Sequence, residues 1–316
     1  MFAQPAVFKS MDRAGFTLVE LSIVLVIIGL IIGGVLVGRE LISIAAIRAQ
    51  ISQVEKYQTA VNTFRSKYGF LPGDIPDPVA SQYGFKTRGV LEGEGDGNGV
   101  LESFDSDNGP VTQGAGEAVM VWVDLSTAGL MDGGFNIADP HSKGTTNITI
   151  SSTPYNLGNF WPQAKIGGGN YMLVYSGGPL IWQSQANSDG NNYFGIIANA
   201  QILNQSNAGR IGASPNVSQT VMGITVQQAS RIDAKVDDGL PESGRVLAML
   251  PYYQFVCWSE PGGSNANCGH AASTAALSGS STTCYDNNHI GGAARQYSMT
   301  QNSGSGVNCG LSFRFQ

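Results

Sequence analysis

The sequence predicts an α+β protein. A long N-terminal α-helix, transmembrane in its first half, packs on a β-rich globular head with an antiparallel sheet and short helices. Three observations carry this. The run from Phe16 to Val37 is apolar except for one ionisable residue, Glu20. It leads without interruption into an amphipathic segment whose apolar residues recur every three or four positions. Beyond that, the chain turns rich in Gly, Asn and Ser, with short apolar runs between turn-forming clusters, as in a loop-rich, β-leaning domain.

At 1.5 Å per residue the Phe16–Val37 run spans about 33 Å, enough to cross a bilayer core of about 30 Å. Lys9 and Arg13 precede it, which places the leader in the cytoplasm and everything after Val37 outside. A carboxylate inside such a span costs roughly 2.5–3.5 kcal/mol on insertion scales, so Glu20 requires a partner. Gly29, Gly33, Gly34 and Gly38 form two small-xxx-small pairs that let helix backbones approach closely. They equally suit ordinary membrane-helix glycines. From Leu41 the stripe Ile44, Ile47, Ile51, Val54, Tyr57, Val61, Phe64 and Tyr68 forms one apolar face. The spacing predicts one helix from Phe16 to Tyr68, about 80 Å long, capped by Gly69 and stopped by Pro72.

The residues Gly15-Phe16-Thr17-Leu18-Val19-Glu20 resemble the cleavage and methylation signature of type IV prepilins and of the pseudopilins of type II secretion. The resemblance is close from Arg13 to about Val37 and looser along the helix to Asp74. It implies cleavage between Gly15 and Phe16 by a membrane prepilin peptidase, then N-methylation of the Phe16 amine. The apolar segment stays on the mature chain as anchor and filament core. The chain divides accordingly into a leader (1–15), a long helix (16–68, with 16–38 transmembrane) and a head (69–316) whose region 257–316 is disulfide-bonded. The resemblance also implies that Glu20 neutralises the Phe16 amine of a neighbouring subunit. A pair with the chain's own N-terminus remains the alternative. The partners implied are other pilin subunits, prepilin peptidase, an inner-membrane assembly platform and the membrane. The expected place is the inner membrane, with the head periplasmic, and then a pilus or pseudopilus. Many pilins have a proline near the position of Val37; its absence here leaves any loosening of the helix to the glycines.

In the head, the stretch Glu92–Asp105 has the spacing of a calcium loop. Glu94, Asp96 and Asn98 stand at positions 1, 3 and 5, Gly99 at the turn, the Val100 carbonyl at 7, Glu102 at 9 and Asp105 at 12. A glycine-rich double turn carrying solvated acids fits the same residues. Asp233, Asp237 and Asp238 make a second acidic group, read as exposed acids at a helix end or as a cation site. No cofactor is required by the sequence; calcium is the candidate. Four cysteines, all in the last sixty residues, suggest two disulfides in an exported domain. The expected pairs are Cys257–Cys309 and Cys268–Cys284.

Short helices are expected at Ala115–Ala128 and Thr220–Asp238, the latter burying Val221, Ile224, Ile232 and Val236. Strands are expected at Tyr171–Tyr175, Leu180–Gln183, Tyr193–Ala198, in two runs of Arg245–Trp258 broken at Pro251, and at Val307–Phe315. The net charge of −6 and the lack of a basic patch after Lys67 speak against nucleic acid. His141, His270 and His289 have no metal-ligand spacing, and no nucleophile or phosphate-loop motif is present, so no enzyme is expected. The resulting expectation is a structural filament subunit, a minor or large pilin. A type II secretion pseudopilin, or an adhesive or ligand-binding head mounted on a pilin helix, are the alternatives.

Overall fold

The computed structural model describes residues 17–89, 93–101, 103–105, 109–111, 116–138, 157–176, 190–198, 223–252, 255–258, 284–286, 296–300 and 302–316. In chain order the elements are α1 (Leu18–Tyr68), α2 (Val79–Gln82), β1 (Ser103–Asp105), β2 (Gly109–Val111), α3 (Gly116–Thr127), β3 (Asn170–Ser176), β4 (Asn192–Ala198), α4 (Val226–Val236), β5 (Val246–Tyr252), β6 (Phe255–Trp258), β7 (Tyr285–Asp286), β8 (Gln296–Tyr297) and β9 (Gly310–Arg314). Two short 3-10 turns lie at Leu157–Asn159 and Asn302–Gly304. The chain forms two compact units, Met1–Ala45 and Ala46–Gln316.

The described part of the first unit is the first half of α1. It is long and apolar enough to cross a membrane. Its large apolar side chains, from Leu18 to Ile42, are exposed.

The second unit is built on a five-stranded antiparallel sheet in the order β3-β4-β9-β5-β6. The C-terminal strand β9 is inserted between β4 and β5, pairing Phe313 with Phe194 on one side and with Val246 on the other. Strand β3 reads as a continuous apolar run because consecutive residues, Met172 to Tyr175, are all buried. The second half of α1 buries Ile47, Val54, Tyr57, Val61 and Phe64, five of the eight stripe positions. Every residue of α3 from Gly116 to Leu125 is buried, as expected for a helix enclosed on all sides. Tyr57 of α1 meets Trp122 of α3 edge-on at 5.1 Å, and Trp122 stacks on Phe194 of β4, which stacks on Phe315. One aromatic seam therefore ties helix, helix and sheet, and such pairs add about 0.5–1.5 kcal/mol each beyond their buried area.

Two glutamines of α1 break the apolar pattern and are nevertheless buried, Gln50 and Gln53. Their carbonyl oxygens accept from the Ile166 and Lys165 amides at 2.9 Å, and Gln53 Nε2 donates to the Gln163 carbonyl at 2.8 Å. The segment 163–166 thus satisfies its backbone groups against helix side chains, which is what makes its burial tolerable.

Three expectations are corrected. Cys284 pairs with Cys309 across 5.1 Å between Cα atoms, so neither Cys257–Cys309 nor Cys268–Cys284 forms. Cys257 lies on β6, and β5 stands between β6 and β9. Two strand spacings of about 4.8 Å exceed the reach of a disulfide, about 7 Å between Cα atoms. Pro251 does not break a strand: it lies within β5 opposite Val256, near the end of the edge pair with β6. Helix α4 begins at Val226, not at Thr220. Thr225 is its N-cap in a capping box with Gln228, and Ile224 instead bridges to Cys309. The strand expected at Leu180–Gln183 and all three histidines fall outside the described residues.

Candidate functional site

Gly15 and Phe16 lie outside the described residues, so the site begins at Thr17. Helix α1 opens with Thr17-Leu18-Val19-Glu20, the T-x-x-E pattern of a capping box. The structure forms it. Glu20 Oε2 accepts from the Thr17 amide and from the Thr17 hydroxyl, each at 2.8 Å, and the Glu20 amide donates back to Thr17 Oγ1 at 3.2 Å. This places the one carboxylate of the apolar run at the N-terminal end of the helix, where the backbone dipole favours negative charge. Thr17 was not singled out from sequence, although its spacing to Glu20 was the available signal. Below it, the would-be Cβ positions of Gly29, Gly33, Gly34 and Gly38 meet no heavy atom within 4 Å. At 100° per residue Gly29 and Gly33 share one side of the helix and Gly34 and Gly38 another, and both sides are open to another helix or to lipid.

The acidic loop of the head is organised differently from the calcium-loop spacing. Of its six candidate residues, Asp96 joins a cluster with Asp74 and Glu117, a carboxylate oxygen of each lying within 4.8 Å of the others. Glu94 is buried and is not among the three carboxylates of that cluster, and the exposed Asn98 donates to Asp96 from its amide at 2.9 Å and from Nδ2 at 3.0 Å. The Val100 amide donates to Asn98 Oδ1 at 2.7 Å, and the side chains of Glu102 and Asp105 lie outside the described residues. Asp74 precedes α2 and accepts from the Gly97 and Gly99 amides at 2.7 and 2.8 Å. Glu117, in the first turn of α3, accepts from the Gly95 and Asp96 amides. Two buried carboxylates therefore shape the glycine loop by taking up its amides. Neither Asp74 nor Glu117 was legible in the loop's own spacing, because they come from segments before and after it. Burial pushes the Asp74 carboxyl up to about 7; the Gly99 and Gly97 amides oppose the rise and the charge of Asp96 adds to it.

The second acidic group also assembles, Asp233 with Asp237 and Asp238. Asp233 is fully buried on α4, not exposed at its end. It accepts from the Tyr297 hydroxyl at 2.7 Å and from the Gly239 amide at 3.0 Å. Burial pushes its carboxyl up to about 7, against those two bonds and with the help of Asp238 and Asp237. Its evident use is to hold the β7–β8 hairpin, which carries Cys284, against α4.

Against known families, residues 10–36 match the prokaryotic N-terminal methylation motif. This is the prepilin-type cleavage and methylation signal. It covers the segment on which the resemblance rested and the start of α1. The motif supports a type IV pilin-like or pseudopilin-like precursor, a structural subunit processed by prepilin peptidase, assembled with other pilins and anchored by its apolar helix. No curated protein and no solved structure matches the chain.

Proposed function

We propose that this chain is a structural subunit of a type IV pilus-like filament, in the role of a minor or large pilin. Prepilin peptidase cleaves it between Gly15 and Phe16, the Phe16 amine is methylated, and the mature chain assembles through its N-terminal helix. The observation that carries the reading is the coincidence of the signal at 10–36 with the first half of α1, whose large apolar residues from Leu18 to Ile42 are exposed all round. Such a surface needs lipid or other helices of the same kind. In the bilayer, Glu20 is the expensive residue of that helix. Pairing it with the amine of a neighbouring subunit makes departure into a helix bundle favourable. The head lies on the periplasmic side before assembly. A mature chain of about 300 residues is long for an abundant pilin, which is the reason for the minor or large assignment.

Mass analysis of the purified protein is expected to find a chain beginning at N-methylated Phe16; an intact leader sinks the proposal. Glu20→Val is expected to remain in the membrane and to be absent from filaments. Filaments sheared from cells and blotted for this chain distinguish a pilus from a pseudopilus confined to the periplasm.

A further inference from the structure

We infer that a cleft in the head, beside the second half of α1, binds a small organic carboxylate: Lys56, Lys165 and the Tyr57 hydroxyl hold the acid, and Phe135 and Pro162 carry an apolar body. The cleft has a volume of about 540 Å³, within the range of small-molecule pockets, roughly 300–1,000 Å³. Three segments of the second compact unit build it: α1 from Ala49 to Tyr57, residues 132–135 after α3, and residues 158–165. No residue of either acidic cluster lines it. The inference stands apart from the assembly role proposed above.

The hydrogen-bonding groups of the lining are unevenly spent. Gln53 is buried and fully used: Oε1 accepts from the Lys165 amide at 2.9 Å, and Nε2 donates to the Gln163 carbonyl at 2.8 Å and to the Tyr57 hydroxyl oxygen at 3.1 Å. Tyr57 is thereby fixed as an acceptor, and among the described residues nothing accepts its own hydrogen. Burial holds this phenol above its ordinary pKa, opposed by the Gln53 bond and helped by the charge of Asp132, so it remains a donor at neutral pH. Lys56 and Lys165 add two ammonium groups with three hydrogens each. Lys56 meets Asp132 Oδ2 at 3.2 Å, but the Asp132 side chain is 99% exposed, so that pair is loosely held. Among the described residues the Lys165 ammonium has no ion pair.

The cleft therefore offers three donor groups against one carboxylate at its rim, and what fills it has to accept. No arginine is among its lining residues, so the planar fork that favours phosphate is missing. Phe135 and Pro162 instead line it with apolar surface. An anion with an apolar body suits both halves, and a carboxylate is the simplest such group.

The test uses the full-length chain in detergent at pH 7.5, with three probes of one shape: benzoate, neutral benzamide and cationic benzylamine. Binding is read by isothermal titration calorimetry against a detergent blank. The expected result is saturable binding of benzoate, binding of benzamide weaker by roughly tenfold, and none of benzylamine. Lys165→Gln and Tyr57→Phe each weaken benzoate by roughly fivefold, and Asp132→Asn strengthens it by roughly twofold, because it removes the competing acid and releases Lys56. Thermal melts confirm that the variants are folded; Lys165 and Asp132 are exposed, and phenylalanine keeps the ring of Tyr57 against Trp122. Were Tyr57→Phe to melt early, Lys165→Gln and Asp132→Asn still test the inference with opposite signs. Absence of saturable benzoate binding to the wild type overturns it. So does equal affinity for benzamide, which means an apolar cavity without recognition of charge. Benzoate binding unchanged in Lys165→Gln places the probe elsewhere and equally overturns it, as does weaker binding in Asp132→Asn. Inorganic phosphate displacing benzoate at lower concentration overturns the choice of a carboxylate.

Discussion

Replacing Arg88 by methionine strands a carboxylate in the core. The Arg88 and Asp124 side chains are both essentially inaccessible, and Arg88 Nη2 donates to Asp124 Oδ2. The same oxygen accepts from the Gly73 amide at 2.6 Å, and Arg88 Nε donates to the Ile75 carbonyl at 3.1 Å. The pair therefore pins the segment after α1 to the middle of α3. It meets through one oxygen and one nitrogen: Arg88 Nη1 and Asp124 Oδ1 have no partner among the described residues. Methionine keeps the arginine stem's volume, so the loss is mainly that of the charge. Breaking one side of a buried pair costs about 3–5 kcal/mol. At about 2–4 °C per kcal/mol for a domain of this size, the melting temperature of Arg88→Met falls by about 10 °C. Adding Asp124→Asn removes the stranded charge and retains an acceptor for Gly73. The double variant keeps only the smaller loss of the Ile75 hydrogen bond, about 1–2 kcal/mol. Burial already raises the Asp124 carboxyl, and Arg88 is the foremost group opposing that rise. Without Arg88 the folded carboxyl titrates higher still, so the folded state binds more protons than the unfolded one. Stability of Arg88→Met then falls as pH rises from the unfolded value, about 4, through the folded one, and part of the loss is recovered at pH 5. Thermal melts of the full-length chain in detergent measure the first, and urea unfolding followed by tryptophan fluorescence at pH 5 and 8 measures the other two. A double variant at least as unstable as Arg88→Met refutes the stranded-charge argument.

Asp233 supplies a pH prediction with the same sign. Its folded carboxyl titrates at about 7, above the unfolded value of about 4, so the wild-type head loses stability as pH rises between them. Asp233→Asn is expected to flatten that slope by about 1 kcal/mol per pH unit, read from urea midpoints across the range; an unchanged slope refutes it. Removing the disulfide as Cys284→Ser with Cys309→Ser opens a crosslink spanning 25 residues. The chain-entropy model sets the loss at about 3.5 kcal/mol, measured by thermal melts of the two proteins without reductant. Gly73 has φ +93°, and an added Cβ would lie 2.4 Å from the Glu117 carbonyl oxygen, whereas Gly69 at φ +83° faces open space. Gly69→Ala is therefore expected to cost about 1–2 kcal/mol, from backbone conformation alone, and Gly73→Ala clearly more. Equal urea midpoints for the two would show that the clash is relieved cheaply.

What the sequence by itself determined is the N-terminal device and the long helix. Both are written in local code. The Gly15–Glu20 signature, the apolar run and the three-four spacing to Phe64 each depend on residues within a few turns of one another, and Gly69 and Pro72 end the helix in the same local way. Two further signals are of the same local kind: Thr17 three residues before Glu20, and Thr225 three before Gln228, which sets the start of α4. Tertiary structure decided what no local spacing carries. Asp96 was visible as a candidate ligand, but its companions come from Asp74 and Glu117, some twenty residues away on either side. Gln50 and Gln53 read as polar helix positions until the backbone of 163–166 arrives to use them. Cys309 found Cys284 because β9 enters the middle of the sheet, leaving Cys257 a strand too far. Pairings of this kind follow from strand order and burial, and a strand's position in a sheet depends on the whole core competing for it rather than on its own residues.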